Sequence, residues 1–396
     1  MDKAAPRGYL QAMILLKNAE VYAPEPLGQH DLLLAGGRVV ALAATLPEPP
    51  HGWPCEVVDL RGKVLIPGLI DCHTHLCGGG GEGGAHTRVP AVLPTSLTMA
   101  GVCTAIGLLG TDGSTRSIAE LLAAARGLEH YGLTTYCYTG SYEVPPPTLT
   151  GSVRGDIVHV DRIVAVGEVA ISDHRSSQPT FEELIRLAAD AHVAGMMTGK
   201  AGLLHLHMGD GGRGLSLVRR ALDETELPPR VFHPTHVNRN PKLWQEALEL
   251  TTRGCSIDIT AFPPEEGEPV SGAFLAEYLA KGLDPARVTL SSDGGGCLPV
   301  FDRDGKLLSM DVGASASLLV ALRDAISLGA PLHRALAACT SNVAELFRLP
   351  SKGRLQVGGD ADLVVLDDTL QLESTIAGGR WLVREGRPLV RGVFEA

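Results

Sequence analysis

The sequence lacks paired cysteines, long apolar runs and an excess of positive charge. Its eight cysteines are scattered and none forms a CxxC pair, which argues against a zinc ribbon and against a disulfide-stapled secreted domain. No run of about 18 or more apolar residues appears, so we expect no membrane-spanning helix. The formal net charge of −11 disfavours nucleic acid as a partner, because an acidic surface repels phosphate groups.

The beginning of the sequence also lacks the uninterrupted apolar core of a signal peptide. Together with the unpaired cysteines, this predicts a protein of the reducing cytoplasm. The chain has 396 residues, and 44% of them are hydrophobic, so the sequence is ample for a large buried core.

Eight short apolar runs alternate with helical patterns through the middle of the chain, and each run ends in polar or reactive residues. They cover residues 64–75, 102–112, 134–142, 163–173, 203–210, 231–239, 255–260 and 288–295. Alternating strands and helices imply parallel strands, and eight such units predict a (β/α)8 barrel whose active site lies at the carboxyl ends of the strands. The alternative is an open doubly wound sheet, which is disfavoured because no G-x-G-x-x-G follows the first run.

The two ends of the chain show a different pattern from the middle. Residues 12–63 and 361–395 contain short strand-like runs, the last of them at 388–395, separated by proline and glycine turns. We therefore predict an α/β fold with two domains. A TIM-like catalytic barrel covers residues 67–350, and a small β-sandwich combines residues 1–66 with residues 351–396.

The first apolar run leads into the sequence DCHTHLC, which contains several potential metal ligands. Neighbouring residues of a strand point to opposite faces, so His73 and His75 share a face that Cys72 does not. Two imidazoles at the end of a strand can bind one divalent ion. We interpret Cys72 and Cys77 as small buried apolar residues instead.

Further ligands are expected at other strand ends. His207 and His236 lie near the ends of the fifth and sixth runs, and Asp293 lies near the end of the eighth. In a barrel these side chains converge on one mouth, with room for two metal ions that activate water while Asp293 moves a proton. His205 and His233 lie among apolar residues and are interpreted as structural histidines.

This pattern of strand-end residues resembles the amidohydrolase superfamily, and several longer strings resemble the isoaspartyl dipeptidases within it. The strings extend over nearly the whole chain and include residues 68–84, 139–153, 170–176, 234–240 and 287–296. The resemblance implies a metal-binding barrel with a β-sandwich, two divalent ions that we expect to be Zn²⁺, and hydrolysis of small β-aspartyl dipeptides. It also implies assembly into a homo-oligomer.

The same resemblance implies a role for each matching residue. It assigns metal binding to His73, His75, His207 and His236. Asp293 would take a proton from a bridging hydroxide and give it to the leaving amine, and Tyr142 would stabilise the amide oxygen. It assigns contact with the substrate's α-ammonium group to Glu82 and contact with its carboxylates to Arg175 and Arg239. It also brings the Gly80 backbone close to the ligand and places Thr111 in the lining of the aspartyl pocket. The alternatives are a solvated loop for Glu82, a structural ion pair with Asp173 for Arg175, and packing for Tyr142.

Two residues depart from the family pattern. Cys297 stands where the family has a serine, and a thiol is a weaker hydrogen-bond donor than a hydroxyl. Glu168 stands where the family has a carboxylated lysine that bridges two metal ions. Glutamate offers the same charge and pair of oxygens from closer to the backbone, and Gly167 could permit the necessary approach. The alternative is that Glu168 falls short and the protein holds one ion or is inactive.

Two other functions remain open at this point. One is hydrolysis of a cyclic amide such as a dihydropyrimidine, which Glu82, Arg175 and Arg239 disfavour because a neutral ring needs no charged clamp. The other is a catalytically weak or silent relative that serves in assembly, which the intact histidines and Asp293 disfavour.

Overall fold

The computed structural model describes residues 13–263, 267–302 and 304–395. The predicted strand-like run that begins at Ala12, and the terminal parts of the predicted sandwich at 1–12 and 396, therefore extend outside the described residues. Strands near the chain ends are β1 Met13–Tyr22, β2 Pro26–Ala35, β3 Arg38–Ala43, β4 Cys55–Asp59, β5 Val64–Pro67, β16 Leu363–Leu366, β17 Leu372–Ala377, β18 Arg380–Arg384 and β19 Arg387–Pro388.

The middle of the chain contains the remaining strands and the helices. The strands are β6 Leu69–Thr74, β7 Val102–Gly107, β8 Thr134–Thr139, β9 Ile163–Ile171, β10 Leu204–Met208, β11 Phe232–Thr235, β12 Ile257–Thr260, β13 Val288–Ser291, β14 Cys297–Phe301 and β15 Leu307–Val312. The α-helices are α1 Pro94–Thr98, α2 Ile118–His130, α3 Val153–His159, α4 Phe181–Thr198, α5 Ser216–Glu224, α6 Pro241–Thr252, α7 Ser271–Ala280, α8 Ser317–Ser327, α9 Leu332–Ala337 and α10 Ser341–Leu346.

Strands β6 to β13 confirm the predicted barrel. Six of them form a parallel sheet in the order β6 to β11, and β12 pairs in parallel with β13. The ring is closed on one side by the parallel bridge between Thr74 and Gly294, and on the other by a 3.4 Å hydrogen bond from Val237 N to Asp258 O. The open doubly wound alternative is therefore wrong, because the first and last strands meet.

The helices around the barrel begin where the sequence offers a cap. Ser117 caps α2, Thr180 and Glu183 form a capping box at α4, and Asn240 caps α6 ahead of a proline. The apolar faces of these helices pack on the outer surface of the strands in one continuous core. No helix in the described residues has the length and apolar character needed to cross a membrane.

The two chain ends meet in one mixed sheet of nine strands, as predicted. Its order is β19, β18, β17, β16, β5, β1, β2, β3, and β4 pairs with the first half of β1. Strand β5 belongs to this sheet, so the first predicted apolar run contains two strands that serve different domains. The boundaries at residues 66/67 and 350/351 stay a prediction.

The last predicted strand-like run, at 388–395, is wrong beyond its first residue. Strand β19 ends at Pro388, and after it the backbone N–H groups of Leu389 and Val390 still donate to Leu382 O of β18. Val393 and Phe394 are exposed, so their apolar character does not reflect a buried strand.

Candidate active site

Six of the predicted residues form a buried cluster at the carboxyl ends of the barrel strands, which we call the floor. The floor consists of His73, His75, Glu168, His207, His236 and Asp293, and all six side chains are at least nine-tenths buried. Five of them follow from the strand-end rule, because the ends of parallel strands in a barrel face one mouth, whereas Glu168 was identified through the family resemblance.

Glu168 lies at the centre of the floor. Its Oε1 is 3.6 Å from His75 Nε2, and its Oε2 is 3.6 Å from His73 Nε2. The same Oε2 is 3.2 Å from His207 Nδ1 and 3.5 Å from His236 Nε2. One carboxylate thus reaches all four histidines from strand β9, although it is shorter than a carboxylated lysine.

Local backbone geometry brings these side chains together. A Cβ on Gly167 would lie 2.7 Å from the Cβ of His205, so glycine permits the close approach of β9 to β10 next to Glu168. His236 and Asp293 have φ angles of 61° and 53°, in the left-handed region that most residues avoid. Such backbone is typical of functional sites, where a sharp turn at a strand end directs a side chain.

The donor set of the floor fits a metal centre. His73 Nε2 and Asp293 Oδ1 are buried without a hydrogen-bond partner among the described residues, and buried polar atoms are rarely left so. Three overlapping groups bring imidazole and carboxylate atoms within 4.8 Å of one another: His73, His75 and Glu168; His73, His236 and Asp293; Glu168, His207 and His236. Imidazole with carboxylate suits a divalent ion such as Zn²⁺.

Above the floor lies a cavity of about 780 Å³, lined by eleven of the thirteen predicted site residues. The two exceptions, His73 and His236, lie behind the others on the floor. We call the upper wall of this cavity the rim. It consists of Gly80, Glu82, Thr111, Tyr142, Arg175, Arg239, Cys297 and the hairpin of β14 and β15.

Glu82 is held on the rim by two neighbours. Its Oε1 accepts a hydrogen bond from the Thr111 hydroxyl at 2.8 Å and lies 3.4 Å from an Arg175 nitrogen. Its Oε2 is buried without a partner in the described part of the chain. The solvated-loop alternative for Glu82 is therefore unsupported, because the carboxylate is buried with one oxygen free.

Arg175 and His207 both contact the carboxylate of Asp173, which the sequence analysis named only as an alternative ion-pair partner of Arg175. Asp173 Oδ2 is 2.8 Å from Arg175 and 3.0 Å from His207 Nε2. Burial raises the pKa of Asp173, but its hydrogen bonds with His207 and Arg175 outweigh burial and hold that pKa well below the usual range. The structure therefore contains the Asp173–Arg175 ion pair and also places Arg175 on the cavity wall.

Tyr142 contacts both the floor and the cavity. Its hydroxyl lies 2.7 Å from His207 Nδ1. Burial raises the pKa of this hydroxyl well above its ordinary value, and the Glu168 carboxylate raises it further. Tyr142 is therefore protonated at neutral pH and has a proton to donate.

Arg239, Gly80 and Cys297 also belong to the rim. The Arg239 guanidinium lies over the Phe262 ring, 5.6 Å from its centre, and 3.9 Å from Asp210. A Cβ on Gly80 would approach Thr87 O to 2.6 Å, so the glycine loop is compact there. Burial and the nearby Glu82 carboxylate raise the pKa of Cys297 to about 12, which keeps its thiol protonated.

Sequence reasoning missed one wall of the cavity and one layer beneath the floor. The missed wall is largely apolar and includes Phe262, Phe274, Leu298, Val300 and Met310. The missed layer is polar and includes His205 and His233, which are buried and hydrogen-bonded as predicted. Their hydrogen bonds form a line that connects His233 through His205 to His73. Burial lowers the pKa of His205, and it lowers that of His233 to about 4, so both rings are neutral at pH 7. The extra histidines themselves were the available signal.

The comparisons with known proteins agree with this geometry. The model of the amidohydrolase family matches residues 64–382. A crystal structure of the β-aspartyl dipeptidase from the thermophilic, keratin-degrading Fervidobacterium islandicum AW-1, in complex with β-Asp-Leu, is 41% identical to this chain. The match covers 97% of this chain and 100% of that one, with a TM-score of 0.90.

More distant relatives share less sequence. The imidazolonepropionase of Anaeromyxobacter sp. strain K is 26% identical over 394 residues, which cover 89% of each protein. The L-hydantoinase of Arthrobacter aurescens is 19% identical, covers 96% of this chain and 97% of its own, and has a TM-score of 0.65. This last likeness shows the fold alone.

Proposed function

Because this chain belongs to the amidohydrolase family and is a metal-dependent hydrolase, we propose that it hydrolyses β-aspartyl dipeptides. The observation that carries the proposal is the buried, unpartnered oxygen of Glu82, which lies beside Arg175 on the wall of the cavity above the floor. A buried carboxylate oxygen without a partner fits a cationic group of the substrate.

The charges of the rim match those of the substrate. A β-aspartyl dipeptide carries an α-ammonium and an α-carboxylate next to its scissile side-chain amide, and a second carboxylate on the departing residue. Glu82 binds the ammonium group, and Arg175 and Arg239 bind the carboxylates through forked hydrogen bonds. Gly80, Thr111 and Cys297 border the aspartyl group.

We propose that the floor would hold two divalent ions, which we expect to be Zn²⁺. His73 and His75 would hold one and His207 and His236 the other, and Glu168 would contact both, which its distances to all four histidines support. Bound ions of this kind polarise a carbonyl group and lower the pKa of water.

Proton transfer falls to Asp293. Its Oδ1 lies on the floor, 3.0 Å from His75 Nε2 and without a hydrogen-bond partner in the described residues. Asp293 accepts a proton from the attacking water and passes it to the amide nitrogen as the carbon–nitrogen bond breaks. Tyr142 donates its hydroxyl proton in a hydrogen bond to the carbonyl oxygen as negative charge develops there.

Hydrolysis of a cyclic amide is less well supported. A neutral ring offers no charged group for Glu82, and binding it would leave the buried Glu82 Oε2 without a partner, which is costly. The relatives that act on other substrates are also more distant in sequence.

Two further properties belong to the proposal. All eight cysteines are free, which supports the reducing cytoplasm as the location. Assembly into a homo-oligomer stays a prediction.

The test is an isomer assay on the zinc-loaded protein. We expect β-Asp-Leu to be hydrolysed on the order of a hundredfold faster than α-Asp-Leu, since the α isomer misplaces a charged group worth about 1.5–3 kcal/mol. Protein stripped with a chelator should lose the activity and regain it with Zn²⁺. Equal rates on the two isomers would overturn the proposal.

A further inference from the structure

A line of buried hydrogen bonds leads from the floor into the barrel interior. His73 Nδ1 lies 2.8 Å from His205 Nε2, and His205 Nδ1 lies 3.0 Å from His233 Nδ1. His233 Nε2 is 3.0 Å from Thr289 Oγ1, and the Thr289 hydroxyl donates to Asp258 Oδ1 at 2.5 Å. All five residues are completely or almost completely buried. We call this line the first arm.

Three hydroxyl groups converge on the Asp258 carboxylate. Besides Thr289 on Oδ1, Thr235 donates to Oδ2 at 2.7 Å and Ser291 donates to the same oxygen at 2.5 Å. An ionised carboxylate accepts hydrogen bonds and donates none. Asp258 therefore fixes the direction of each hydrogen bond that reaches it.

The direction of the hydrogen bond from Thr289 to Asp258 determines the direction of every other hydrogen bond in the first arm. Thr289 gives its only hydroxyl proton to Asp258, so its oxygen accepts from His233 Nε2–H. His233 Nδ1 then has no proton and accepts from His205 Nδ1–H. His205 Nε2 accepts in turn from His73 Nδ1–H. His73 is left with a lone pair on Nε2, the buried atom that faces Glu168 and has no hydrogen-bond partner among the described residues.

A second arm leads from the same carboxylate to another histidine of the floor. Thr235 donates to Asp258, and its oxygen lies 3.5 Å from Thr260 Oγ1, which can donate to it. Thr260 Oγ1 lies 2.7 Å from His236 Nδ1 and accepts the proton on that nitrogen. His236 is thus also left with its lone pair on Nε2, which lies 3.5 Å from Glu168.

We propose that Asp258 is a positioning residue that fixes the tautomer of one histidine in each metal site, His73 through the first arm and His236 through the second. This proposal rests on the proposed function, because it assumes that His73 and His236 bind different metal ions. A hydrogen bond to the distal ring nitrogen is the usual means of fixing a metal-binding histidine. Here the single carboxylate of Asp258 orients both His73 and His236 through intervening residues.

The direction of the hydrogen bonds in each arm determines whether His73 and His236 can bind a metal ion. If the first arm ran the other way, His73 would carry its proton on Nε2 and present no lone pair to an ion. Fixing the tautomer in advance removes that inactive form before the metal arrives.

Two pairs of variants separate the arms. Thr289→Val removes the hydroxyl of the first arm, and Thr289→Ser retains it. Thr260→Val and Thr260→Ser do the same for the second arm. Burial lowers the pKa of His73, but the Glu168 and Asp293 carboxylates raise it to about 9. The tautomers are therefore read in metal-free protein above that pH, by ¹⁵N NMR of labelled histidine side chains, and Zn²⁺ affinity is measured by competition with a chelator. Thermal unfolding of each variant reports any general loss of structure.

We expect wild-type protein to show Nδ1–H on both His73 and His236. Thr289→Val should disturb the tautomer of His73 alone and weaken one Zn²⁺ site about 10–100-fold, and Thr260→Val should do so for His236 and the other site. The serine variants should behave like the wild type. An unchanged His73 tautomer in Thr289→Val, or equal changes at both histidines in either valine variant, would overturn the inference.

The NMR and Zn²⁺-affinity results do not depend on which substrate the protein hydrolyses. If the tautomers respond as expected and β-Asp-Leu is not cleaved, the proposed function fails and the positioning role stands. If β-Asp-Leu is cleaved while the valine variants keep both tautomers and both Zn²⁺ affinities, the positioning role fails alone.

Discussion

The floor and the rim of the cavity are built in different ways. The floor comes from strand ends, is almost completely buried, and is tied to the barrel interior through His205, His233 and Asp258. The rim comes from loops and from the β14–β15 hairpin, where Val300 and Leu308 are 49% and 63% exposed. We infer from this difference that the floor carries the metal ions and the proton transfer, whereas the rim, apart from Tyr142, selects the substrate.

The largest expected effect lies on the floor, at Asp293. Asp293→Ala should lower kcat on β-Asp-Leu on the order of a hundredfold or more, because a general acid–base group is lost. Metal analysis should show that most of the metal is retained, since the histidines and Glu168 remain. Activity close to that of the parent enzyme would contradict the role of Asp293.

A change on the rim should instead affect binding. Glu82→Gln keeps the shape of the side chain but removes the charge that pairs with the α-ammonium group. We expect KM for β-Asp-Leu to rise about tenfold to a hundredfold, since hydrogen bonds to charged groups are worth about 1.5–3 kcal/mol. Metal content should equal that of the wild type, and a loss of metal would break the division between rim and floor.

The departing residue should be selected by the apolar wall of the cavity. Phe262, Leu298, Val300 and Met310 line the outer cavity, with Glu268 and Asp311 near them. We therefore expect β-Asp-Leu to have a kcat/KM about tenfold above that of β-Asp-Glu, because burying a leucine is favourable by about 1.5–3 kcal/mol and acidic neighbours repel glutamate. Equal values for the two dipeptides would show that this wall does not contact the departing side chain.

The smallest effect is expected at Cys297. Cys297→Ser replaces a protonated thiol by a stronger donor beside the glycine loop. KM for β-Asp-Leu should fall severalfold while kcat stays the same, as for one improved neutral hydrogen bond worth about 1 kcal/mol. A rise in KM would indicate that the thiol packs against the substrate rather than donating to it.

The floor was largely predictable from the sequence because the strand-end rule is local. His73, His207, His236 and Asp293 each follow an apolar run, and eight runs predict the barrel that brings them together. The rim residues were identified through the family resemblance, since loops carry no periodic pattern that would place Glu82 against Thr111.

The layer beneath the floor was not predictable in the same way. Asp258 reaches His73 through residues on three other strands, and those contacts depend on the register between strands distant in sequence. The apolar residues at 388–395 misled for a related reason. Val393 and Phe394 fit a strand pattern, but nothing in the pattern shows that they are exposed.

We propose that Glu168 joins the two halves of the floor by contacting both metal ions. Anomalous diffraction at the zinc edge, on crystals of zinc-loaded protein prepared without added bicarbonate, would locate the ions relative to this carboxylate. We expect two anomalous peaks, both in contact with the Glu168 carboxylate, and activity that does not change when bicarbonate is supplied. A single peak at full zinc loading, or a Glu168 side chain turned away from either ion, would show that Glu168 does not bridge two ions.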